Sequence, residues 1–178
     1  AMHKAGVLEK ATELKDRLVK AGLRVKLDDS DNSMGWKCAQ YEMKGVPVRV
    51  EIGPRDLAEG KVMSVRRDTF EKAPLDIEGL EGEIKAMLDA IQTNMFEIAR
   101  AFRDAHTADV HNMEELGRQV DGGYAKAMWC GDQACEDKIK EQFAATSRCM
   151  PFEQETLSDT CVCCGKPAKK MVYWGKAY

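Results

Sequence analysis

The sequence predicts an α/β protein that begins with a mixed sheet flanked by helices and continues through a long linking helix into a small, cysteine-rich α+β domain. Three observations predict this architecture. Apolar and polar residues alternate in short segments before residue 75, an apolar stripe with helical spacing follows, and two pairs of cysteines lie near the end. Alternation is typical of half-buried strands, and a spacing of three and four residues is typical of an amphipathic helix.

The first predicted elements are a helix over residues 4–21 and a strand over Leu23–Leu27. The helix is indicated by apolar residues at helical spacing, and Gly22 supplies its C-terminal cap. A helix that enters a strand through a short glycine turn indicates a βαβ unit, yet the sequence has no strand before this helix. We therefore expect the sheet to contain a gap, or to be completed by another molecule.

A second helix is predicted from Gly35 to Lys44, with Ser33 as its N-terminal cap. It carries two aromatic residues and a carboxylate, including Trp36 and Glu42. Aromatic rings stack on unpaired bases, and a glutamate can accept both the N1–H and the N2–H of guanine. The plainer interpretation is that the aromatic residues belong to the core or its rim.

The segment Val48–Gly53 predicts a strand with its valines and isoleucine on one face and with Arg49 and Glu51 on the other. We expect recognition on the polar face, although a solvated ion pair on a strand is the simpler explanation of these two residues. A further short strand over residues 61–67 ends in two arginines, which are suited to phosphate contacts or to protecting a sheet edge.

A stripe of apolar residues from Leu80 to Phe102 predicts a helix over residues 77–102. At about 1.5 Å per residue it would be about 39 Å long, and we interpret its methionines and phenylalanines as packing residues. The expected domains are therefore residues 1–75, a linking helix over residues 76–109, and a last domain over residues 110–178.

Composition and charge restrict the possible partners. The sequence is 44% hydrophobic and 32% charged, and no apolar run approaches the roughly 18 residues of a membrane helix. Residues 1–72 carry 15 Lys and Arg against 12 Asp and Glu, whereas residues 73–125 carry 4 against 11. A nucleic acid would therefore bind the first segment. We expect a cytoplasmic protein with no membrane and no DNA partner, in which seven cysteines indicate metal binding.

Four of these cysteines form two pairs, Cys130 with Cys135 and Cys161 with Cys164, separated by 25 residues. Pairs with these spacings can converge on one tetrahedral zinc ion, and four thiolates leave no position for water, so the ion would be structural. Cys163 offers a neighbouring thiol, but the two-residue spacer favours Cys164. The competing interpretation is a redox motif.

The segment DDSDNSMGWKCAQYEMKGVPVRVEIGPRDL, followed by the four-cysteine pattern, resembles prolyl-tRNA synthetases of the eukaryote-like and archaeal-like type. The resemblance covers nearly the whole chain. It implies a class II synthetase anticodon-binding domain that lacks its first strand, a zinc-binding C-terminal domain, and tRNA(Pro) as a partner.

The resemblance also implies roles for single residues. Glu42 and Arg49 are expected to read the second and third bases of the proline anticodon, both guanines, with Arg55 and Asp56 close to the same nucleotides. Many relatives have an aromatic residue where this sequence has Cys38. A stacking contact is therefore lost here or is made by Trp36.

In the family, the full-length enzyme attaches proline to tRNA with ATP, and its catalytic domain would be a further partner of this chain. The sequence has no segment suited to that domain, so we expect no activity from this chain alone. Tyr178 is expected to affect catalysis across a domain interface. Two alternatives remain: a free-standing RNA-binding or regulatory module with a structural zinc site, and a zinc-stabilised interaction or redox protein.

Overall fold

The chain divides into two units within one long helix, the first ending at Glu97 and the second beginning at Ile98. The computed structural model describes residues 6–177, so the expectation for Tyr178 lies outside the described residues. Each unit has its own sheet and hydrophobic core. The α/β class predicted from the sequence is therefore confirmed. None of the described helices has the length and apolar character needed to cross a lipid bilayer.

The first helix, α1, spans Val7–Lys20 and buries its predicted apolar face. It ends as the sequence predicts, because Gly22 has φ +90° and the Leu23 N–H donates to the carbonyl of Leu18 at 3.1 Å. The guanidinium of Arg17 donates two hydrogen bonds to the Glu81 carboxylate, at 2.7 and 2.9 Å.

The predicted strand over Leu23–Leu27 is wrong, because this segment belongs to no ladder. Its side chains do alternate between half-buried and exposed, and Leu23 and Val25 pack against the core of the first unit. A strand also needs a neighbour for its N–H and C=O groups, and no described strand lies beside this segment. The three described strands of this unit form one continuous sheet, and its completion by a further strand stays a prediction.

The sheet of the first unit consists of β1 (Val48–Glu51), β2 (Lys61–Arg66) and β3 (Lys72–Asp76) in that order. Helix α2 (Met34–Met43) precedes β1, and the short helix α3 (Pro54–Ala58) connects β1 to β2. Both ladders are antiparallel.

Strand β3 was missed by the sequence analysis, since it contains Pro74. Proline is tolerated there because β3 lies at the sheet edge.

The long helix α4 spans Leu80–Ala105 and has the expected 26 residues, although it begins three residues later than predicted. Leu80, Ile84 and Ile91 are buried. Further along the same stripe, Ile98 and Phe102 are 60% and 65% exposed. The packing interpretation is therefore correct for the first half of the stripe and wrong for the second half.

The second unit has a four-stranded sheet in the order β4 (Thr107–Asp109), β5 (Tyr124–Trp129), β7 (Lys170–Lys176) and β6 (Ala145–Cys149). Strands β4 and β5 are parallel, and the other pairs are antiparallel.

Two helices complete this unit, α5 (Met113–Gln119) and α6 (Gln133–Phe143). Leu116, Ile139 and Trp174 are fully buried in the core of the unit. Strands β4, β5 and β6 were not foreseen from the sequence.

Candidate nucleic-acid interface and metal centre

An ion pair joins the last turn of α2 to strand β1. Ser33 caps α2 by accepting a hydrogen bond from the Trp36 N–H, and Gly45 at φ +76° reverses the chain after the helix. The strand that follows places Arg49 Nη1 at 2.7 Å from Glu42 Oε1. The two residues that the sequence analysis paired are therefore in direct contact.

The pair is the start of a longer row of charges. Arg49 Nε donates to Glu51 at 2.9 Å, and the ammonium of Lys72 on β3 donates to the other oxygen of Glu51 at 2.6 Å. Burial raises the pKa of Glu51, but the hydrogen bonds from Lys72 and Arg49 outweigh it and hold the pKa below its usual value. The carboxylate of Glu51 is thus committed to two cations within the protein.

Glu42 and Arg49 retain access to solvent, with side chains 36% and 24% exposed. Burial lowers the pKa of Arg49, but hydrogen bonds to Glu42 and Glu51 outweigh burial and raise it above its ordinary value. In the described chain, one carboxylate oxygen of Glu42 and one terminal nitrogen of Arg49 have no protein partner. The pair therefore presents an acceptor and a donor to a ligand.

A surface cleft opens beside this pair. Arg67 enters it from the turn after β2, where its Nε donates to the Glu42 carbonyl and its N–H donates to the Pro47 carbonyl, both at 2.9 Å. No carboxylate among residues 6–177 pairs with Arg67. The residues that line the cleft are Tyr41, Glu42, Val46, Arg49, Val65, Arg67 and Phe70.

The two consecutive arginines at the end of β2 and in the turn after it have different roles. Arg66 donates two hydrogen bonds to Asp68, at 3.1 and 2.7 Å, and Asn94 on α4 donates a third at 2.8 Å. The hydrogen bond from Arg66, together with the one from Asn94, lowers the pKa of Asp68 to about 2 despite its burial. Arg66 therefore holds the turn in place, and Arg67 is the arginine available to a phosphate.

Asp28 anchors the loop that leads into α2. Ser30 donates to Asp28 from both its hydroxyl, at 2.6 Å, and its backbone N–H, at 3.0 Å, and the Lys37 ammonium lies 3.3 Å from the same carboxylate. The hydroxyl of Ser30, with further hydrogen bonds from Lys37 and Tyr41, lowers the pKa of Asp28. The loop and the helix face that carries Tyr41 are thereby fixed together.

The other predicted nucleotide-contacting residues do not line the cleft. Trp36 lies on the first turn of α2 and is 50% exposed. Arg55 is exposed on α3 and has no side-chain partner among the described residues, whereas Asp56 accepts the Gly53 N–H at 2.8 Å and caps that short helix. Of the five predicted residues, Glu42 and Arg49 contact each other, whereas Trp36, Arg55 and Asp56 do not line the cleft beside them.

Phe70 is a candidate that the sequence analysis missed. It lines the cleft, and its ring is 65% exposed. A possible signal was its place in the turn RRDTFEK, where an aromatic residue is unusual.

The second unit contains a cluster of four sulfurs. Cys130 follows β5, Cys135 lies in the first turn of α6, and Cys161 and Cys164 lie in a turn closed by the bridge between Thr160 and Pro167. The four Sγ atoms lie within 4.8 Å of one another, and Cys130 is 3.7 Å from both Cys135 and Cys164. These four residues could hold one metal ion.

Local turns build this cluster. Gly131 has φ +87° and directs the chain from Cys130 into α6, which Asp132 caps by accepting the Ala134 N–H at 3.1 Å. In the other turn, the Gly165 N–H donates to the Cys161 carbonyl at 3.0 Å. Both turns are short, so the sulfurs are positioned mainly by local backbone geometry.

The thiols of the cluster differ in acidity. Burial disfavours the thiolate of Cys161, but N–H donors from Cys164, Cys163 and Cys130 outweigh burial and lower the pKa of Cys161 to about 7. Burial raises the pKa of Cys135. Cys163 is half-buried against the cluster and is not one of its four members.

Sequence comparison defines the class of both parts of the chain. Residues 1–87 match the family described as "Anticodon binding domain". Residues 113–178 match the family described as "Prolyl-tRNA synthetase, C-terminal". The first part of the chain, with its cleft, is thus similar to anticodon-binding domains, and the last part is similar to the C-terminal domain of prolyl-tRNA synthetases.

The chain is similar to part of several proline–tRNA ligases. It is 57% identical over 180 residues to a proline–tRNA ligase of Clostridium botulinum, covering all of this chain. It is 59% identical over 177 residues to that of Lachnospira eligens and 55% identical over 177 residues to that of Lachnoclostridium phytofermentans, covering 98% of this chain in each case. The chain spans 37% of the length of each of these relatives.

Proposed function

We propose that this chain recognises the anticodon of tRNA(Pro) as the C-terminal portion of a prolyl-tRNA synthetase, whose full-length form attaches proline to tRNA with ATP. The observation that carries the proposal is the Glu42–Arg49 pair, held at 2.7 Å on the surface of an anticodon-binding domain. A catalytic domain would be the second partner, and cytoplasm the compartment in which the reaction occurs.

The pair offers the groups that distinguish guanine from other bases. The free carboxylate oxygen of Glu42 can accept from N1–H and N2–H, and the free nitrogen of Arg49 can donate to O6 or N7. Because each group is oriented by its contact with the other, little side-chain freedom is lost on binding. In this proposal the two side chains read the two guanines shared by all proline anticodons.

Backbone contacts would come from the cations around the cleft. Arg67 donates one hydrogen bond to the Glu42 carbonyl on α2 and one to the Pro47 carbonyl before β1, and it has no carboxylate partner in the described chain. Arg55 is exposed on α3. Contacts of this kind position the nucleic acid and make affinity depend on salt, but they carry no sequence information.

The sulfur cluster would hold a structural zinc ion. Thiolates bound to tetrahedral zinc at about 2.3 Å lie about 3.8 Å apart, close to the 3.7 Å that separates Cys130 from Cys135 and Cys164. Zinc would cross-link the start of α6 to the turn that carries Cys161, and four thiolates would leave no position for a substrate. The zinc ion would therefore stabilise the folded state of the second unit.

Binding of stem–loop RNA tests the anticodon proposal. We expect this chain to bind a stem–loop with the anticodon UGG in a salt-sensitive manner, and to bind more weakly when adenine replaces either guanine. Fluorescence anisotropy at several salt concentrations measures both effects. Equal affinity for all loop sequences would contradict anticodon recognition and favour a general RNA-binding module.

Metal analysis and an aminoacylation assay test the remaining parts of the proposal. We expect one zinc ion per chain, retained until unfolding, and no prolylation by this chain without a catalytic domain. A disulfide between Cys161 and Cys164 in metal-free protein would contradict the zinc proposal and support a redox function.

A further inference from the structure

Phe70 has a backbone conformation that bulky residues avoid. Phe70 has φ +58° and is the last residue of the loop between β2 and β3. A 3.0 Å hydrogen bond from the Arg66 N–H to the Glu71 carbonyl closes this loop. Glycine or asparagine is the usual residue at such a position in a hairpin loop. Since the ring is 65% exposed, burial does not compensate for the backbone strain. Strain of this kind is concentrated at functional sites.

The loop holds Phe70 beside the Glu42–Arg49 pair. Phe70 lines the same cleft as the pair. Arg67, three residues earlier, donates at 2.9 Å to the carbonyl of Glu42 on α2 and to the carbonyl of Pro47 just before β1. These two hydrogen bonds of Arg67 hold the loop that carries Phe70 beside the pair. A base that leaves the loop of an RNA to reach the pair would pass close to this ring.

The other aromatic residues of the region are less suited to stacking. Tyr41 lines the cleft but is only partly exposed, and the ammonium of Lys44 lies over its ring, 5.4 Å from the centroid. Trp36 is exposed, yet it does not line the cleft. Among the described residues, Phe70 is the aromatic residue that combines exposure with a place beside the pair.

We propose that Phe70 is a base-stacking residue of the anticodon interface, which supports a nucleotide next to the guanines read by Glu42 and Arg49. This inference rests on the proposed function. Every base has a face on which an aromatic ring can stack, so stacking is tolerant of sequence. Phe70 therefore contributes affinity and position, whereas the ion pair contributes the choice of base.

Substitution by glycine separates this role from a structural one. Phe70→Gly removes the ring and relieves the positive φ, so we expect the melting temperature to stay constant or to rise by about 2–4 °C. We expect the same variant to bind the UGG stem–loop about tenfold more weakly. The ratio of affinities for guanine and adenine loops should not change. Phe70→Tyr keeps a ring and should bind like the wild type.

The control is Phe152→Leu, which removes an exposed ring from the second unit and should leave binding unchanged. Wild-type binding without preference for guanine would contradict the proposed function itself. Specific wild-type binding together with full affinity in Phe70→Gly would contradict only the stacking role. Loss of affinity in Phe70→Gly with a lower melting temperature would show that the ring is structural, and would also overturn this inference.

Discussion

Replacing Glu42 by glutamine is the most direct test of base reading, because it changes the charge while it keeps the shape. The side chains of the Glu42–Arg49 pair are 36% and 24% exposed, and ion pairs that are open to solvent contribute only about 0–1 kcal/mol to stability. The glutamine carbonyl can still accept from Arg49. We therefore expect the melting temperature of Glu42→Gln to lie within about 4 °C of the wild-type value.

Binding should respond far more strongly than stability. A hydrogen bond to a charged acceptor contributes about 1.5–3 kcal/mol, which corresponds to a roughly 10- to 150-fold loss of affinity for the UGG stem–loop. Anisotropy titrations of wild type and Glu42→Gln at one salt concentration measure this loss. The exposed Glu153 provides a matched control, since Glu153→Gln removes the same charge from the second unit and should not affect affinity.

Inosine identifies the atom that Glu42 reads, because inosine is guanosine without the N2 amino group. If Glu42 accepts the N2–H, inosine at the position it reads should weaken wild-type binding and should have less effect on Glu42→Gln. The coupling free energy from this double-mutant cycle should be about 1 kcal/mol. Strictly additive effects at both guanine positions would refute the assignment of Glu42 as the residue that reads guanine.

Three further predictions concern the scaffold. Cys164→Ser should abolish stoichiometric zinc binding in metal analysis, whereas Cys163→Ser should retain it, because Cys164 belongs to the four-sulfur cluster and Cys163 does not. The reverse result would make Cys163 the zinc ligand. Gly123→Ala should lower the free energy of unfolding by about 2–3 kcal/mol in denaturant titrations, because the added Cβ would lie 1.9 Å from the backbone oxygen of His106. The control is Gly122→Ala, whose Cβ would meet no atom within 4 Å and which should have little effect. Because the pKa of Asp68 is lowered to about 2, its stabilising contribution is present above about pH 4 and is lost as the pH falls toward about 2; Asp68→Asn should therefore lose less stability than the wild type over that range, and an identical acid profile would contradict the argument.

Much of the local structure could be predicted because it depends on neighbours in sequence. Ser33 caps α2 and Gly22 ends α1 as their residue types require. The spacing of the cysteines pointed to two short turns, and the four sulfurs do lie close together. In each case the physical cause acts within a few residues, so that the sequence pattern contains it.

The sequence was less informative where a second segment decides the outcome. Leu23–Leu27 has the alternation of a strand but lacks a described neighbour for its backbone, and β3 forms in spite of Pro74 because its edge position requires fewer donors. Alternation of apolar and polar residues shows only which face of a segment is buried. Whether its backbone N–H and C=O groups are paired depends on the segment that lies beside it.

The candidate site shows the same division. The sequence supplied Glu42 and Arg49 as a pair through their resemblance to a family, and the order of the chain allowed them to lie on α2 and β1. Only the tertiary structure decided that they touch at 2.7 Å, and that Phe70 enters their cleft from a turn 28 residues after Glu42. Local hydrogen bonds and capping are encoded within a few positions, whereas the meeting of distant side chains depends on how helices and strands pack.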